Sequence, residues 1–230
     1  DITTENTVPP GTKAKAVLIA KQDVVVAGLD VFERVFRLLE GGAVFAGNKG
    51  TAFIRHINEG ERAEKGAVIM EMEGEAAVLL KGERTALNLL QHMSGIATLT
   101  AEYCRKVADL PVAITDTRKT LPGLRYLQKY AVRVGGGRNH RFCLSDGVLI
   151  KDNHIKAAGG IKQAVEKARA GIPHTVKIEV ETETIEQVKE ALEAKADIIM
   201  LDNMSLEMMR EAVRLIGGRA LTEASGNVNL

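Results

Sequence analysis

Residues 176–226 read VKIEVETETIEQVKEALEAKADIIMLDNMSLEMMREAVRLIGGRALTEASG, and their reading decides the fold. Each section opens on a short apolar run (VKIEV, DIIM, ALT) and passes into polar residues (ETET, LDNM, EASG). Between them lie amphipathic helices, TIEQVKEALEAK (184–195) and SLEMMREAVRLI (205–216). Working toward the N-terminus, GVLI leads into KDNH (147–154) ahead of the helix GIKQAVEKARA (160–170), and VAIT leads into DTRKT (112–120). Strands alternating with helices at this spacing mean βα units and a parallel sheet. The polar residues fall just past the strand ends, the edge at which such sheets bind ligands, so they are expected to converge on one mouth.

Ahead of this repeat, RTALNLLQHMSGIATLTAEYCRKVADL (84–110) reads as one long helix with an interruption expected at Ser94-Gly95. The earlier residues read as strand-rich, with runs at 14–20, 23–28, 50–57, 66–72 and 76–81, and one amphipathic helix over 29–40. This predicts an α/β sandwich over residues 1–83, followed by a βα-repeat domain over 84–230. The stretch EGERAEKGAVIMEMEG (59–74) has the look of a biotin- or lipoate-carrying hairpin, but its expected tip, Met70 to Glu73, offers no lysine to modify.

The chain has 230 residues, is 45% apolar, and can bury a substantial core. A net charge of +1 argues against general nucleic-acid binding, and the absence of Trp, with three Tyr and five Phe, leaves little for base stacking. Cys104 and Cys143 match no metal spacing, and two free thiols suit a reducing cytosol. No apolar run reaches the length of a membrane span, and the first residues lack a signal-peptide pattern. The expectation is a soluble cytoplasmic protein that engages neither nucleic acid nor membrane.

Charge is concentrated where the total hides it. From Asp116 to Lys151, Arg118, Lys119, Arg125, Lys129, Arg133, Arg138, Arg141 and Lys151 stand against only Asp116 and Asp146. A cationic site in a neutral protein points to a small, highly charged anion. Arg118 offers a planar fork for carboxylate or phosphate and Lys119 a compact charge, although adjacent basic residues on a loop are often simply solvated. Asn139, His140 and Arg141 follow Gly135-Gly136-Gly137, glycines that let backbone approach backbone or ligand closely; a flexible hairpin with a surface histidine is the plainer alternative. Lys151 abuts a buried run and needs an anionic partner, while Asp152 or Asn153 suits the N-cap of the next helix.

Glu179 and Glu181 share one strand face by two-residue alternation, and Asp202-Asn203 follows IIML. Glu181 and Asp202 beside a cationic pocket suit Mg²⁺ shared with a phosphate ligand, or else serve as partners of the local Lys and Arg. Ser225-Gly226 can offer a hydroxyl and backbone N–H groups to a phosphate. No Ser–His–Asp or Cys–His pair and no phosphate-binding glycine pattern stands out at recognisable spacing.

Taken together, GERTALNLLQHMSGIAT, DTRKTLPGLRYLQKYAVRVGGGRNHR, VLIKDNHI, KIEVE, IIMLDN and EASG resemble the quinolinate phosphoribosyltransferases, the decarboxylating enzymes of de novo NAD synthesis. The similarity runs the whole length, and the TRKT, NHR and KDNH blocks are its most specific part. The resemblance implies an N-terminal α/β sandwich and a C-terminal open (β/α) barrel of the type II phosphoribosyltransferase kind. It further implies a homodimer, or a larger assembly, whose active sites are completed by the neighbouring subunit. Arg118, His140, Arg141 and Lys151 would hold or adjoin the carboxylates of quinolinate, with Lys119 between the quinolinate and phosphoribosyl subsites. Arg84 would reach in from the partner. Glu181 and Asp202 would face the ribose and Mg²⁺–pyrophosphate, and Ser225 and Gly226 the 5′-phosphate. Lys119, Lys151, Glu181 and Asp202 are the expected catalytic set.

Against the family pattern the chain looks truncated at both ends. The helical segment usual before DITT and the βα unit usual after EASGNVNL are not in the sequence, and Asn227 stands where many members carry a second glycine. Two rival readings follow: a paralogue on the same scaffold that uses another anionic aromatic substrate, and a non-catalytic anion-binding subunit or fragment.

Overall fold

A computed structural model describes residues 1–41 and 50–229, and the chain divides into two units, Asp1–His140 and Arg141–Leu230. The first unit opens with helix α1 (Ile2–Thr7), whose first turn is capped by the Asp1 carboxylate accepting from the N–H groups of Thr3 and Thr4. Strands β1 (Lys13–Ile19) and β2 (Val24–Val25) lead into helix α2 (Leu29–Leu39), followed by β3 (Ala52–Arg55), β4 (Arg62–Ala63) and β5 (Val68–Glu75). Helices α3 (Ala76–Lys106) and α4 (Arg125–Val134) complete the unit. Strand β5 lies between β1 and β3, antiparallel to both, while β2 and β4 pair separately. The core joins Leu18, Met70 and Met72 of the sheet to Phe32 and Phe36 of α2 and to Leu79, Ala86 and Leu90 of α3.

Three details differ from the sequence expectation. AAVLLK (76–81) is the start of α3, not a strand, because Ala76, Leu79, Gly82, Ala86, Leu90, Met93, Ala97 and Thr100 are all buried on one helical stripe. The helix also runs through Ser94-Gly95 without a break. Ser94 is buried there, and its hydroxyl accepts from the N–H of Ala27 (3.0 Å) and donates to the Ala27 carbonyl (3.2 Å). Met70–Glu73 lies inside β5, paired with β1 and β3, so it is no hairpin tip.

The second unit comprises β6 (Val148–Ile150), α5 (Asp152–Ala158), α6 (Ile161–Gly171), β7 (Ile178–Thr182), α7 (Ile185–Glu193), β8 (Ile198–Asp202), α8 (Leu206–Ile216) and β9 (Leu221–Ser225). Its four strands are parallel in the order β6-β7-β8-β9. The α/β class and the βα repeat are thus as the sequence predicts, with one exception. VAIT forms no strand among the described residues; it contributes a single parallel bridge, Thr115 to Arg138, within the first unit. One sheet face, carrying Ile150, Val180, Ile199 and Leu201, packs into a core with Val165, Val188, Ala212 and Ile216 of the helices. At the N-terminal edge, Asp197 ties neighbours together. Its carboxylate accepts from the N–H of Ile178 (2.8 Å) and from Arg169 (2.7 Å). Burial alone raises this carboxyl, but those two donors, with Lys177 nearby, hold it below its ordinary range.

Candidate active site

In the second unit the strand register decides where the polar residues face. Paired residues of parallel strands point to the same side of the sheet, and side chains alternate along each strand. Leu149 pairs with Glu179, Glu181 with Met200, and Asp202 with Ser225. Stepping two residues from Leu149 gives Lys151, and from Met200 gives Asp202. Lys151, Glu181, Asp202 and Ser225 therefore share one face at the C-terminal edge, opposite the helix-covered face. The expected gathering of strand ends holds for these four strands.

Lys151 finds the anionic partner its position requires. Its Nζ donates to Glu181 Oε2 at 2.5 Å, with the lysine side chain 45% exposed and the glutamate 14%. Lys151 also turns out to be the N-cap of α5, a place expected for Asp152 or Asn153. Its N–H donates to His154 Nδ1 (3.0 Å), so that ring nitrogen is the unprotonated one. Asp152, one residue on, is held below the ordinary carboxylate range by the N–H of Asn153 and by Lys156. Arg141, at the start of this unit, donates to the carbonyl of Gly147 (3.0 Å).

The ends of β8 and β9 are locked to each other. The N–H of Asn203 donates to the Ser225 carbonyl (2.9 Å), and its amide donates to Asp202 Oδ2 (2.8 Å). Asn227 in turn donates to Asn203 Oδ1 (3.0 Å). Gly226 lies between them at φ 84°, where a Cβ would overlap Asn203 Oδ1. Asn203 and Asn227 themselves adopt left-handed backbone, φ 53° and 56°. Asn227 thus makes a contact that a glycine could not.

The first unit carries Arg84, Arg118, Lys119 and His140. Arg84 is an exposed residue of α3. The loop that holds Arg118 and Lys119 is fastened to one face of α4. Arg125 donates to the Arg118 carbonyl (3.4 Å) and to Thr120 Oγ1 (3.1 Å), and Gln128 accepts from the N–H of Leu121 (3.0 Å). Lys119 is exposed, whereas Arg118 Nε is buried without a hydrogen-bond partner. The TRKT cluster is thus divided between a solvated lysine and an arginine whose Nε is enclosed.

Lys129, one of the cations counted into the local positive excess, is withdrawn from solvent. It is 2% exposed and ion-paired to Asp116 Oδ1, so it adds nothing to a displayed cationic surface. Asp116 also accepts from the Asn139 amide and from the N–H of His140 (2.9 Å). The glycine run before Asn139 serves backbone packing: a Cβ at Gly135 would overlap the Ala97 carbonyl of α3. Sequence reasoning missed the Asp116–Lys129 pair. Its only signal was a lone acid ahead of a basic run, and pairing across 13 positions has no periodicity to betray it.

Glu181 and Asp202 are hard oxygen donors on adjacent strands, one face and one edge, which fits the few carboxylates Mg²⁺ takes from a protein. No helix among the described residues is long and apolar enough to cross a membrane. Both cysteines are free thiols.

Two family profiles match, "Quinolinate phosphoribosyl transferase, N-terminal domain" over residues 1–94 and "Quinolinate phosphoribosyl transferase, C-terminal domain" over 96–230. The "Probable nicotinate-nucleotide pyrophosphorylase [carboxylating]" of Bacillus subtilis is 48% identical over 94% of this chain and 72% of its own length. The "Nicotinate-nucleotide pyrophosphorylase [carboxylating]" of Mycobacterium leprae is 42% identical over 100% of this chain and 80% of its own. Among solved structures, NadC from Streptococcus pyogenes superposes with a TM-score of 0.90 at 45% identity, covering 100% of this chain and 79% of that one.

Proposed function

The chain belongs to the quinolinate phosphoribosyltransferase family, and on that footing we propose that it transfers phosphoribosyl from phosphoribosyl pyrophosphate to quinolinate in NAD biosynthesis. The products are nicotinate mononucleotide, pyrophosphate and CO₂. The observation that carries the reading is the gathering of Lys151, Glu181, Asp202 and Ser225 on one face of one sheet edge. That edge offers a cation, two carboxylates and a hydroxyl, a set matched to a polyanionic ribosyl donor.

Arg118, His140, Arg141 and Lys151 hold the quinolinate carboxylates, and Lys119 stands between the two subsites. Arg118 supports this role by its buried Nε, a donor awaiting an acceptor. The N1 lone pair of quinolinate attacks C1 of the ribose as the bond to pyrophosphate breaks, the electron pair leaving with pyrophosphate. Glu181 faces the cationic ribosyl centre and is released from Lys151 when that lysine turns to the substrate carboxylate. Ser225 and the N–H groups about Gly226 receive the 5′-phosphate. Glu181 and Asp202 would hold Mg²⁺, which offsets charge on the pyrophosphate when bound. The bond from C2 to its carboxylate then breaks. Its electron pair stays on C2 beside the cationic ring nitrogen until solvent supplies a proton, so the protein need not provide a dedicated proton donor.

The working form is a homodimer in the cytoplasm, in which Arg84 completes the neighbour's site. The test is an assay of the chain with quinolinate, phosphoribosyl pyrophosphate and Mg²⁺, following nicotinate mononucleotide. Its formation, with equimolar pyrophosphate, is expected; binding of quinolinate without pyrophosphate release would reject the catalytic reading.

A further inference from the structure

We infer that Lys129 is a positioning residue, which joins the Arg118–Lys119 loop to the Asn139–His140 turn and sets the geometry in which they meet an anionic substrate. The inference rests on the proposed role of Arg118 and His140 as quinolinate ligands.

Arg125, Gln128 and Lys129 lie on one face of α4 at helical spacing, and all three reach the segment Asp116–Leu121. Lys129 also reaches the second segment. Its Nζ donates both to Asp116 Oδ1 and to the His140 carbonyl (3.1 Å). Asn139 closes the ring, donating to Asp116 Oδ2 (2.5 Å) and to the Lys129 carbonyl (2.8 Å). The N–H of His140 returns to Asp116 Oδ1 (2.9 Å). The Lys129 and Asp116 side chains are 3% and 8% exposed, so water cannot replace either partner. A buried charge pair is a poor source of net stability compared with an apolar pair of the same size. What this one does supply is register: two loops, distant in sequence, share one ammonium and one carboxylate.

The test compares Lys129→Gln with wild type by calorimetric titration with quinolinate and by hydrogen exchange. The expected result is a Kd raised at least about tenfold, with stoichiometry per folded chain unchanged. Exchange should rise together in residues 116–121 and 138–140, while α3 keeps its protection. A purely structural role would lower the binding-competent fraction and leave the Kd of the remainder intact, and that outcome overturns the inference. So does loosening of one loop alone. If Lys129→Gln does not fold, Asn139→Ala, which leaves the ion pair in place, must show the same joint exchange and at least a threefold weaker Kd. Should the wild type fail to bind quinolinate, the functional reading falls, and the paired exchange of the two loops still decides whether Lys129 couples them.

Discussion

Asn203 and Gly226 fit together with no room for another carbon: a Cβ on Gly226 would overlap the Asn203 side-chain oxygen. Neither residue can readily retreat. Asn203 is tied to Ser225 by its N–H and to Asp202 and Asn227 through its side chain. Gly226→Ala combines that clash with left-handed backbone, each a strain of about 1–3 kcal/mol. The expected outcome is a KM for phosphoribosyl pyrophosphate raised about tenfold or more, with the KM for quinolinate within about twofold. Steady-state kinetics with each substrate varied would check it.

The Lys151–Glu181 pair is half open to solvent on the lysine side, so it adds little to stability. Lys151→Ala should lower kcat/KM by about two orders of magnitude or more while the melting temperature stays within about 2 °C. Arg118→Ala should do the same to kcat/KM. Wild-type turnover in either variant would reject its assigned role.

Asp202→Asn tests the metal reading. Chelation should abolish turnover of the wild type, and added Mg²⁺ should restore it. The variant should require about tenfold more Mg²⁺ for half-maximal rate, since one hard anionic donor has become neutral. An unchanged Mg²⁺ dependence would remove Asp202 from the metal site.

Mixing two inactive variants tests the shared site. Arg84→Ala and Lys151→Ala dimers, dissociated and reassociated together, give heterodimers in which one of the two sites has both residues. Random pairing predicts recovery of about a quarter of wild-type activity. No recovery, despite exchange shown by mass spectrometry, would mean that Arg84 serves its own subunit.

Asp197 links acidity to the second unit's stability. Its carboxyl is held below the ordinary aspartate value of about 3.9, so the stabilisation is present above that pH and is lost as pH falls through the lower folded value. In urea unfolding, Asp197→Asn should therefore lower the midpoint at pH 7, and the gap from wild type should narrow below about pH 4. A gap independent of pH would show that the hydrogen bonds to Ile178 and Arg169 act without the charge.

The βα repeat was legible because periodicity is local: α7 and α8 lie within a residue or two of where their apolar spacing puts them. Lys151, Glu181, Asp202 and Ser225 were legible for the same reason, each following an apolar run. AAVLLK misled because Val78, Leu79 and Leu80 alone read as a strand. Only the longer series from Ala76 to Thr100 reveals the helical stripe. VAIT misled because an apolar tetrapeptide fits a strand while its pairing is tertiary. Lys129 enters the local positive excess because charge in a sequence carries no sign of burial. Its partner, Asp116, was visible only as the one acid at the head of a basic run.

The pairings of the two sheets span very different lengths of chain. In the first unit Lys13 waits for Glu75 and Ile19 for Val68, whereas in the second Glu179 needs only Ile198, and Ile198 only Leu221. Closing the longer loop costs more chain entropy before any contact rewards it. On a ribosome, β1 emerges well before β5 and stays without it until the chain has grown past Glu75. Val17 and Ile19 of β1, still partly exposed after folding, are in that interval an open strand available to other chains. The segment most in need of protection during synthesis is therefore β1, which lies far in sequence from every residue assigned to the chemistry.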